Sequence, residues 1–452
     1  MLQEAEAPIK QLPREHGIPI IGSAHEFMSA NGIPIDFLSR VQQQHGDVAQ
    51  FKVINRTMIL VSDPDLVHEI LVKRVHEFPK PSAVVQKPRG IMRFLGKGIL
   101  TAGYAEWKPQ RQLMQPFMHR KHIESYAQTM ANLTETLLLQ WQDGAERNIH
   151  SDMTQLTMWI IADTMFGLGM NQLTDFEDLV TRAQKIIIND FVGILPNWLT
   201  GQSTAAADVN AQMTEFVRQM IADYDGSERN DLLSLLLNYR DEDGKPLSDE
   251  FLRDNILTMF FAGHETTANT LTWAFYYLSQ NPDVLGTLQA EVDTVLADGH
   301  APQLDDLTRL PYTLRVIKET LRIQPTVSAI PRLTIAPTHL GDYQLPQYAL
   351  VLMSPRILHH DERYWKRPYE FMPERFSSEN EATLCKHSYL PFGGGPRVCI
   401  GNHFALMEAQ IILAHVIRHY QLHLLAEREV EPLYQVTTHP KDGLFMRLEC
   451  RS

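Results

Sequence analysis

A ten-residue segment from Phe392 to Gly401 places three successive glycines shortly before a cysteine that opens a predicted helix. Glycine permits positive φ, so the backbone can turn sharply just before Cys399. A helix N-terminus presents unpaired N–H groups and the positive end of the helix dipole, and both favour a thiolate over a thiol. This pattern suits a metal-binding thiolate, although a lone cysteine can also be an inert core residue and a run of glycines only a turn.

A second metal site can be drawn from the same region. Cys385 and His387, followed by Cys399 and His403, form a Cys/His quartet that suits zinc. Cys-x-His is shorter than the usual spacing of a first ligand pair, and the glycine hinge separates the two halves. With Cys450 the chain has three cysteines, which do not make a disulfide framework and indicate a reducing compartment.

The spacing of apolar residues predicts a mainly α chain with small β-sheets near both ends. Apolar residues recur every three or four positions from about residue 105 to residue 323. A long helix is predicted over residues 249–279, with Ser248 as its N-cap and Asn281-Pro282 as its end. The other predicted elements are a hairpin of residues 48–53 and 57–61, strands within 333–351, an irregular segment over 359–395 and a helix over about 401–420.

Charge and hydropathy exclude two classes of protein. The 54 acidic and 41 basic residues give a net charge of −13, which argues against a nucleic-acid-binding protein. No run approaches the roughly 18 apolar residues that span a bilayer, and the first residues lack a signal-peptide pattern. We therefore expect a cytoplasmic protein without a membrane anchor, and we expect it to be monomeric.

The segment around Cys399 resembles the heme-binding signature of the cytochrome P450 family, Phe-x-x-Gly-x-Arg-x-Cys-x-Gly, at every defined position. The resemblance implies that heme (iron protoporphyrin IX) is the cofactor and that Cys399 is the axial ligand of its iron. It also implies cofactor contacts from Phe392, Arg397 and Gly401. The implied fold is a single cytochrome P450 domain over residues 1–452. Its parts would be a β-rich start (about 1–78), a helical body (about 79–330) and a C-terminal part with the cysteine loop (about 331–452).

The predicted long helix contains an unusual run, Ala262-Gly263-His264-Glu265-Thr266-Thr267. Glycine and threonine are weak helix formers, and a threonine hydroxyl can bond to the carbonyl one turn earlier. We therefore expect a locally opened helix with a groove for a small ligand such as dioxygen. The run is similar to the oxygen-activation motif of the same family. That resemblance implies that Thr266 hydrogen-bonds to dioxygen and that Glu265 relays protons.

Two further motifs of that family follow in the expected order. Glu319 and Arg322 lie three residues apart and so share a helix face. Together with Arg375 they resemble the family's Glu-x-x-Arg motif and its arginine partner, which implies a buried network that braces the cysteine loop.

Trp107 and Arg111 match the family's Trp-x-x-x-Arg helix motif, which implies that both contact a heme propionate. The position of Arg332 resembles that of a further propionate contact in the family, and guanidinium groups suit carboxylates. Pro109 departs from ordinary helix chemistry and is tolerable only in the first helical turn. As an alternative, each of these arginines is an ordinary surface charge.

The implied reaction is a monooxygenation, in which one oxygen atom of O2 enters a hydrophobic substrate such as a fatty acid, terpenoid, steroid or polyketide. The chain ends soon after Cys399, so electrons are expected from a separate ferredoxin or flavodoxin and its reductase. The alternatives are a peroxide-driven peroxygenase, which the pair Glu265 and Thr266 disfavours, and a heme-based sensor or electron carrier. Arg89 and Arg93 are candidates to anchor a substrate carboxylate. The predicted pocket walls are residues 84–100, 186–199, 326–330 and 436–438, with Ile91, Met92, Phe94, Phe191, Val192, Ile194, Leu195, Val327 and Ile330 as apolar lining.

Overall fold

Helices make up most of the computed structural model, which describes residues 10–81, 90–192, 202–224, 226, 231–425 and 428–451. The mainly α prediction is confirmed. Helices α1 to α17 are Ala24–Ser29, Ile35–His45, Pro64–His68, Met92–Leu95, Tyr104–Met114, Arg120–Ile123, Ala127–Leu138, Ile149–Phe166, Thr174–Val192, Gln202–Ala222, Leu232–Asn238, Asp249–Gln280, Pro282–Val295, Pro311–Ile323, Pro355–Leu358, Ser378–Glu381 and Asn402–His419.

The long helix α12 runs through the centre of the helical part. It spans Asp249–Gln280, one residue longer than predicted, and the Ser248 side chain accepts a hydrogen bond from the Phe251 N–H at 3.2 Å. Pro282 begins the next helix, as expected of a residue without an N–H donor. Most residues of α12 are buried, because it packs along α8 and also meets α14 and α17. A helix that is buried on most sides is a suitable rigid support for a site at its middle.

Strands lie in both regions for which the sequence predicts them, and further strands that it did not predict lie at residues 146–148 and after residue 419. The hairpin of β1 (Val48–Val53) and β2 (Arg56–Val61) continues into a four-stranded sheet of order β1-β2-β7-β4, in which only the β2–β7 pair is parallel. A three-stranded sheet of order β3-β11-β8 and two strand pairs, β5-β6 and β9-β10, complete the described strands. The remaining strands are β3 (Glu146–Asn148), β4 (Ile330–Leu333), β5 (Thr338–Leu340), β6 (Tyr343–Leu345), β7 (Leu350–Met353), β8 (Tyr420–Leu424), β9 (Pro432–Tyr434), β10 (Thr438–Pro440) and β11 (Phe445–Cys450).

The irregular segment over residues 359–395 is packed rather than loose. It contains only a 3₁₀ turn, Pro373–Phe376, and the short helix α16. The buried Trp365 and Phe376 contact Tyr389 at ring distances of 6.0 and 4.9 Å. These contacts fix the segment that leads into the cysteine loop.

None of the helices in the described ranges is both long enough and apolar enough to cross a membrane.

Candidate active site

The cysteine loop has the sharp backbone turn that its glycines predict. Gly393 and Gly395 have φ values of +74° and +68°. A Cβ at Gly395 would lie 1.9 Å from the Leu71 carbonyl oxygen, so no other residue fits there. The N–H of Cys399 donates to the Phe392 carbonyl at 3.0 Å and closes the loop. Helix α17 then begins at Asn402, three residues after the cysteine.

The Cys399 side chain faces a space inside the protein. It is accessible to solvent, but protein surrounds it closely enough that burial raises the pKa of its thiol. A side chain that borders an internal space is both accessible to solvent and surrounded by protein. The Gly401 N–H and the nearby Arg111 guanidinium act in the opposite direction and lower this pKa. Arg111 is held there because its Nη1 donates to the Val398 carbonyl at 2.7 Å.

Three cations lie close together without a carboxylate partner among the described residues: Lys80, Arg332 and Arg397. Burial, with both arginines nearby, lowers the pKa of Lys80 to about 7, and burial lowers that of each arginine to about 10. One guanidinium nitrogen of Arg397, Nη1, is buried with no hydrogen-bond partner in the described part of the chain. Buried cations normally have anionic partners, so this cluster fits an anion that is not part of the chain.

The sequence did not single out Lys80. It is an isolated lysine that is remote from every motif, and its Nζ donates to the Leu100 carbonyl at 2.6 Å. Only the folded chain brings it beside Arg332 and Arg397.

The Trp107 ring packs against Arg397 of the cation cluster, whereas the Arg111 guanidinium lies near Cys399. The Trp107 ring is 6% exposed, and the Arg397 guanidinium carbon lies 4.4 Å from its centroid. Pro109 does not meet the condition that it lie in the first helical turn, because α5 begins at Tyr104 and Pro109 lies inside it. Proline has no N–H and crowds the carbonyl of the preceding turn, so α5 loses one backbone hydrogen bond there.

The middle of α12 presents small and polar residues to an accessible space. Ala262 is exposed although Phe260 and Phe261 beside it are buried. The Thr266 hydroxyl donates to the Ala262 carbonyl at 2.9 Å, which is the back-bond expected from the sequence. The helix is nevertheless assigned without interruption through this turn, so the expected local opening is absent.

Gly263 lies at a close contact between α12 and α8. A Cβ at this position would lie 2.7 Å from Cδ1 of Ile161 in α8. The glycine therefore allows close packing of α12 on α8, and the Thr157 hydroxyl of α8 donates to the His264 carbonyl at 2.8 Å.

Glu265 is enclosed by side chains from two other parts of the chain. Gln184 of α9 donates to one carboxylate oxygen at 2.9 Å, and the Thr437 hydroxyl donates to the other. Burial raises the pKa of Glu265, and the two hydrogen bonds lower it to a smaller extent. An acid with this environment can hold a proton closer to neutral pH than an exposed glutamate.

The structure places Glu319, Arg322 and Arg375 in one buried network. Arg322 donates to both Glu319 carboxylate oxygens at 2.7 and 2.9 Å, and Arg375 Nε donates to Glu319 at 3.2 Å. Neither Glu319 nor Arg322 is exposed. Charge-assisted bonds of this kind are strong, and the loss of one partner leaves an unpaired buried charge.

A histidine that the sequence did not indicate connects this network to the cysteine loop. Arg322 Nη1 donates to the His359 carbonyl at 2.9 Å, and the His359 ring accepts from the Leu390 N–H at 2.8 Å. Burial lowers the pKa of His359 to about 3, so the ring is neutral and its Nε2 can accept. Leu390 lies two residues before Phe392, where the cysteine loop begins.

Part of the predicted substrate pocket lies outside the described residues. These are Arg89, Ile194 and Leu195, together with the side chains of Phe191 and Val192. In the described walls Phe94 is buried, whereas Ile91, Val327 and Ile330 are partly buried. Arg93 lies with Met92 in the short helix α4. No group of three or more His, Cys, Asp or Glu side chains in the described residues is placed to hold a metal ion, so the zinc quartet has no support.

The site fits a heme in two independent respects. The accessible Cys399 sulfur could bind the iron, and the unpaired cations Lys80, Arg332 and Arg397 could bind the two propionates. Guanidinium groups suit carboxylates through paired N–H donors.

Comparisons with known proteins agree with this geometry. The family model for cytochrome P450 matches residues 12–446. Cyclooctatin synthase of Streptomyces melanosporofaciens is 33% identical over 433 residues, covering 93% of this chain and 92% of the relative. Pentalenene oxygenase of Streptomyces avermitilis is 29% identical, covering 96% of each chain.

A solved structure, the heme domain of cytochrome P450DA, superposes with a TM-score of 0.89 and 26% identity over 99% of each chain. The family model covers nearly the whole sequence, and the related structure has the same fold from end to end. The chain therefore belongs to the cytochrome P450 family and is a heme-dependent monooxygenase.

Proposed function

We propose that this monooxygenase inserts one oxygen atom into a C–H bond of a terpenoid, and that Cys399, Thr266 and Glu265 are its central residues. The substrate class is inferred from the names of the relatives. They include pentalenene oxygenase, and cyclooctat-9-en-7-ol 5-monooxygenase of Streptomyces melanosporofaciens, which is 30% identical over 90% of this chain.

The described pocket walls support an apolar substrate. Ile91, Val327 and Ile330 are partly buried and would supply hydrocarbon surface, and the exposed Ala262 presents only a methyl group at the middle of α12. An apolar substrate gains binding free energy in proportion to the apolar area that it buries, about 25 cal/mol per Å². The fatty-acid alternative needs a cation for the carboxylate, and its candidates are Arg89 and Arg93.

When bound, heme supplies the chemistry that splits O2 with two electrons and two protons and delivers one oxygen atom to the substrate. Cys399 would hold the iron as a thiolate. The Gly401 N–H and the Arg111 charge oppose the effect of burial on its pKa, so they favour the thiolate form that a metal requires.

Thr266 and Glu265 would handle the protons. The Thr266 hydroxyl gives its hydrogen to the Ala262 carbonyl, so the lone pairs of its oxygen remain available as acceptors. Glu265 is next in sequence, and burial raises its pKa, so it holds a proton to higher pH than an exposed glutamate does. An acid beside a fixed hydroxyl is the arrangement that controlled proton delivery requires.

We propose a separate ferredoxin or flavodoxin with its reductase as the electron source. Monooxygenation consumes two electrons for each oxygen atom inserted, so the bound heme needs a redox donor.

The experiment is turnover under ¹⁸O₂ with a ferredoxin, its reductase and NADPH, using a panel of terpenoid hydrocarbons, terpenoid alcohols and fatty acids. We expect a spin-state shift on binding of a terpenoid, and a product that contains one ¹⁸O atom. A matched reaction with peroxide and no reductase tests the peroxygenase alternative. Turnover of fatty acids alone would overturn the terpenoid proposal, and efficient turnover by peroxide alone would overturn the monooxygenase mechanism.

A further inference from the structure

A pair of histidines lies one helical turn beyond Glu265. His150, in the first turn of α8, and His439, in β10, have parallel rings with centroids 5.8 Å apart and an interplanar angle of 6°. Nε2 of His150 lies 3.0 Å from Oδ1 of Asn269, four residues after Glu265 on α12. Thr437, two residues before His439, donates to Glu265. Helix α12 therefore carries both Glu265 and the partner of His150, and the segment that contains His439 also contains Thr437, the partner of Glu265.

Two buried polar atoms in this group lack a partner. Nδ2 of Asn269 and Nδ1 of His439 have no well-aligned hydrogen-bond partner in the part of the chain that the structure describes, although the Thr437 backbone lies close enough to the His439 ring to raise its pKa. Asn269 is fully buried. Asn269 and His439 both contact His150, and buried polar atoms are nearly always satisfied by protein or by ordered water, so these two left-over nitrogens suit a bound water.

The histidine pair connects this interior group with the surface. Both rings are only partly buried, and Lys441 and Asp442, directly after β10, are exposed. Burial lowers the pKa of His150 to about 4 and also lowers that of His439. Both rings are therefore neutral near pH 7. A neutral imidazole accepts a proton at one nitrogen while it gives one from the other.

The charged groups on the neighbouring elements are paired with each other. Lys441 binds Glu431 of the segment before β9 at 2.9 Å, and Arg147 of β3 binds Asp152 of α8 at 2.6 Å. From α9 the neutral Gln184 faces Glu265. Glu265 lies four residues before Asn269 and so shares its face of α12, and Glu265 accepts from Thr437, two residues before His439.

We propose that His439 and His150 form the surface entrance of a proton path that reaches Glu265 through an ordered water held by Asn269. His439 takes a proton from solvent at one ring nitrogen and gives its other proton to the water. The water passes a proton to the Glu265 carboxylate, and no electron moves. His150 is a positioning residue, because it holds Asn269 and stacks on His439. The path rests on the proposed function, since Glu265 needs a supply of protons only if it delivers them.

Turnover tests the path through His439→Gln and His150→Gln, which keep hydrogen-bonding groups but cannot exchange ring protons. We expect His439→Gln to lower product formed per NADPH by about tenfold and to raise the solvent deuterium isotope effect. This loss is smaller than the roughly 100- to 10,000-fold contribution of a direct general acid or base, because His439 acts through a water and Glu265. The carbon monoxide spectrum and the melting temperature should not change. His415→Gln is the matched control, because His415 is a buried histidine of α17 with a neighbouring His419 ring at 5.4 Å. Unchanged coupling and an unchanged isotope effect in His439→Gln would overturn the path.

A second readout needs no substrate. In the reduced, carbon monoxide-bound holoprotein labelled with ¹⁵N-histidine, Glu265→Gln should shift the ring ¹⁵N resonances of His439 and leave those of His415 in place. If the His439 resonances do not shift when the Glu265 carboxyl is lost, the ring and the acid are not connected, and the path is overturned. Because this measurement is independent of turnover, failure of the path and failure of the proposed function are distinguishable.

Discussion

Two regions of the site are built in different ways. The cysteine side consists of residues 359–401 with Glu319 and Arg322, and charge-assisted bonds to backbone carbonyls hold it. The threonine side consists of residues 262–267 with Gln184 and Thr437, and neutral side chains from distant parts of the chain hold it. The cysteine side therefore has a fixed loop backbone, whereas the threonine side depends on which residues other helices and strands bring to it.

This difference has a functional meaning. The proposed thiolate ligand needs one backbone geometry, and the buried Glu319–Arg322 pair fixes the chain that leads to it. The acid and hydroxyl on α12 need a controlled proton supply, which depends on neighbours that can vary without disturbing the helix. Each prediction below tests one part of this contrast, beginning with the largest expected effect.

Arg322→Ala should damage the cysteine side most. It leaves the fully buried Glu319 carboxylate without its strongest partner and should lower the free energy of unfolding by about 3–5 kcal/mol. Thermal unfolding and the heme content of the purified protein measure this. The matched control is Arg218→Ala, because Arg218 and Glu215 have the same three-residue spacing and an ion pair of 2.6 Å but are exposed. That loss should stay below about 1 kcal/mol, and equal losses in the two variants would refute the bracing role.

Glu408→Gln tests helix α17, which follows the cysteine loop and packs against α12. Glu408 of α17 is fully buried, and burial raises its pKa from 4.5 to about 8, while the nearby Thr267 hydroxyl on α12 lowers it slightly. Between these two values the folded protein holds a proton that the unfolded chain has lost. Its stability should therefore fall as the pH rises through this window, by up to about 1.4 kcal/mol for each pH unit.

Glutamine cannot lose a proton, so the variant should gain stability relative to the wild type as the pH increases from about 4.5 to about 8. Urea unfolding of both proteins across this range measures the difference. A stability difference that does not vary with pH would contradict the raised pKa.

Thr266→Ala should change the threonine side and leave the cysteine side intact. The heme and the fold should remain, while product formed per NADPH falls by about tenfold and hydrogen peroxide increases, because a hydroxyl for proton control is lost. Thr266→Ser keeps the hydroxyl and should retain most of the coupling. Coupling in the alanine variant equal to that of the wild type would exclude the proposed role.

Gly263→Ala should have the smallest effect. The new methyl group would meet Cδ1 of Ile161 at 2.7 Å, and overpacking of this kind costs somewhat more than alanine gains in helix propensity, so a net loss of about 1 kcal/mol is expected. The double variant with Ile161→Val removes the clashing atom and should recover the loss. A loss that Ile161→Val does not repair would mean that the glycine is needed for flexibility rather than for space.

The sequence predicted those features that depend on nearby residues. The ends of α12, the hairpin, the turn before Cys399 and the Thr266 back-bond all follow from local spacing and backbone chemistry. The order of the motifs then indicated the family, which the comparisons show.

The missed features depend on contacts between distant residues of ordinary type. Lys80, His359 and Gln184 carry no local signal, and only the fold brings them to the site. Thr437 was expected in a pocket wall, but its hydrogen bond to Glu265 was not. The expected helix opening was wrong for a related reason. The helix stays continuous, and Gly263 instead packs closely on Ile161 of α8, a contact that the sequence of α12 alone cannot indicate.

The most direct test of the assigned iron ligand is the absorption spectrum of the reduced protein with carbon monoxide. Thiolate ligation by Cys399 predicts a strongly red-shifted Soret band in the wild type and in Cys385→Ala and Cys450→Ala. The shift should be lost in Cys399→Ala, and also in Cys399→His, which offers the iron an imidazole in place of the sulfur. A wild-type protein that binds heme without this shift, or a Cys399 variant that retains it, would contradict the assignment.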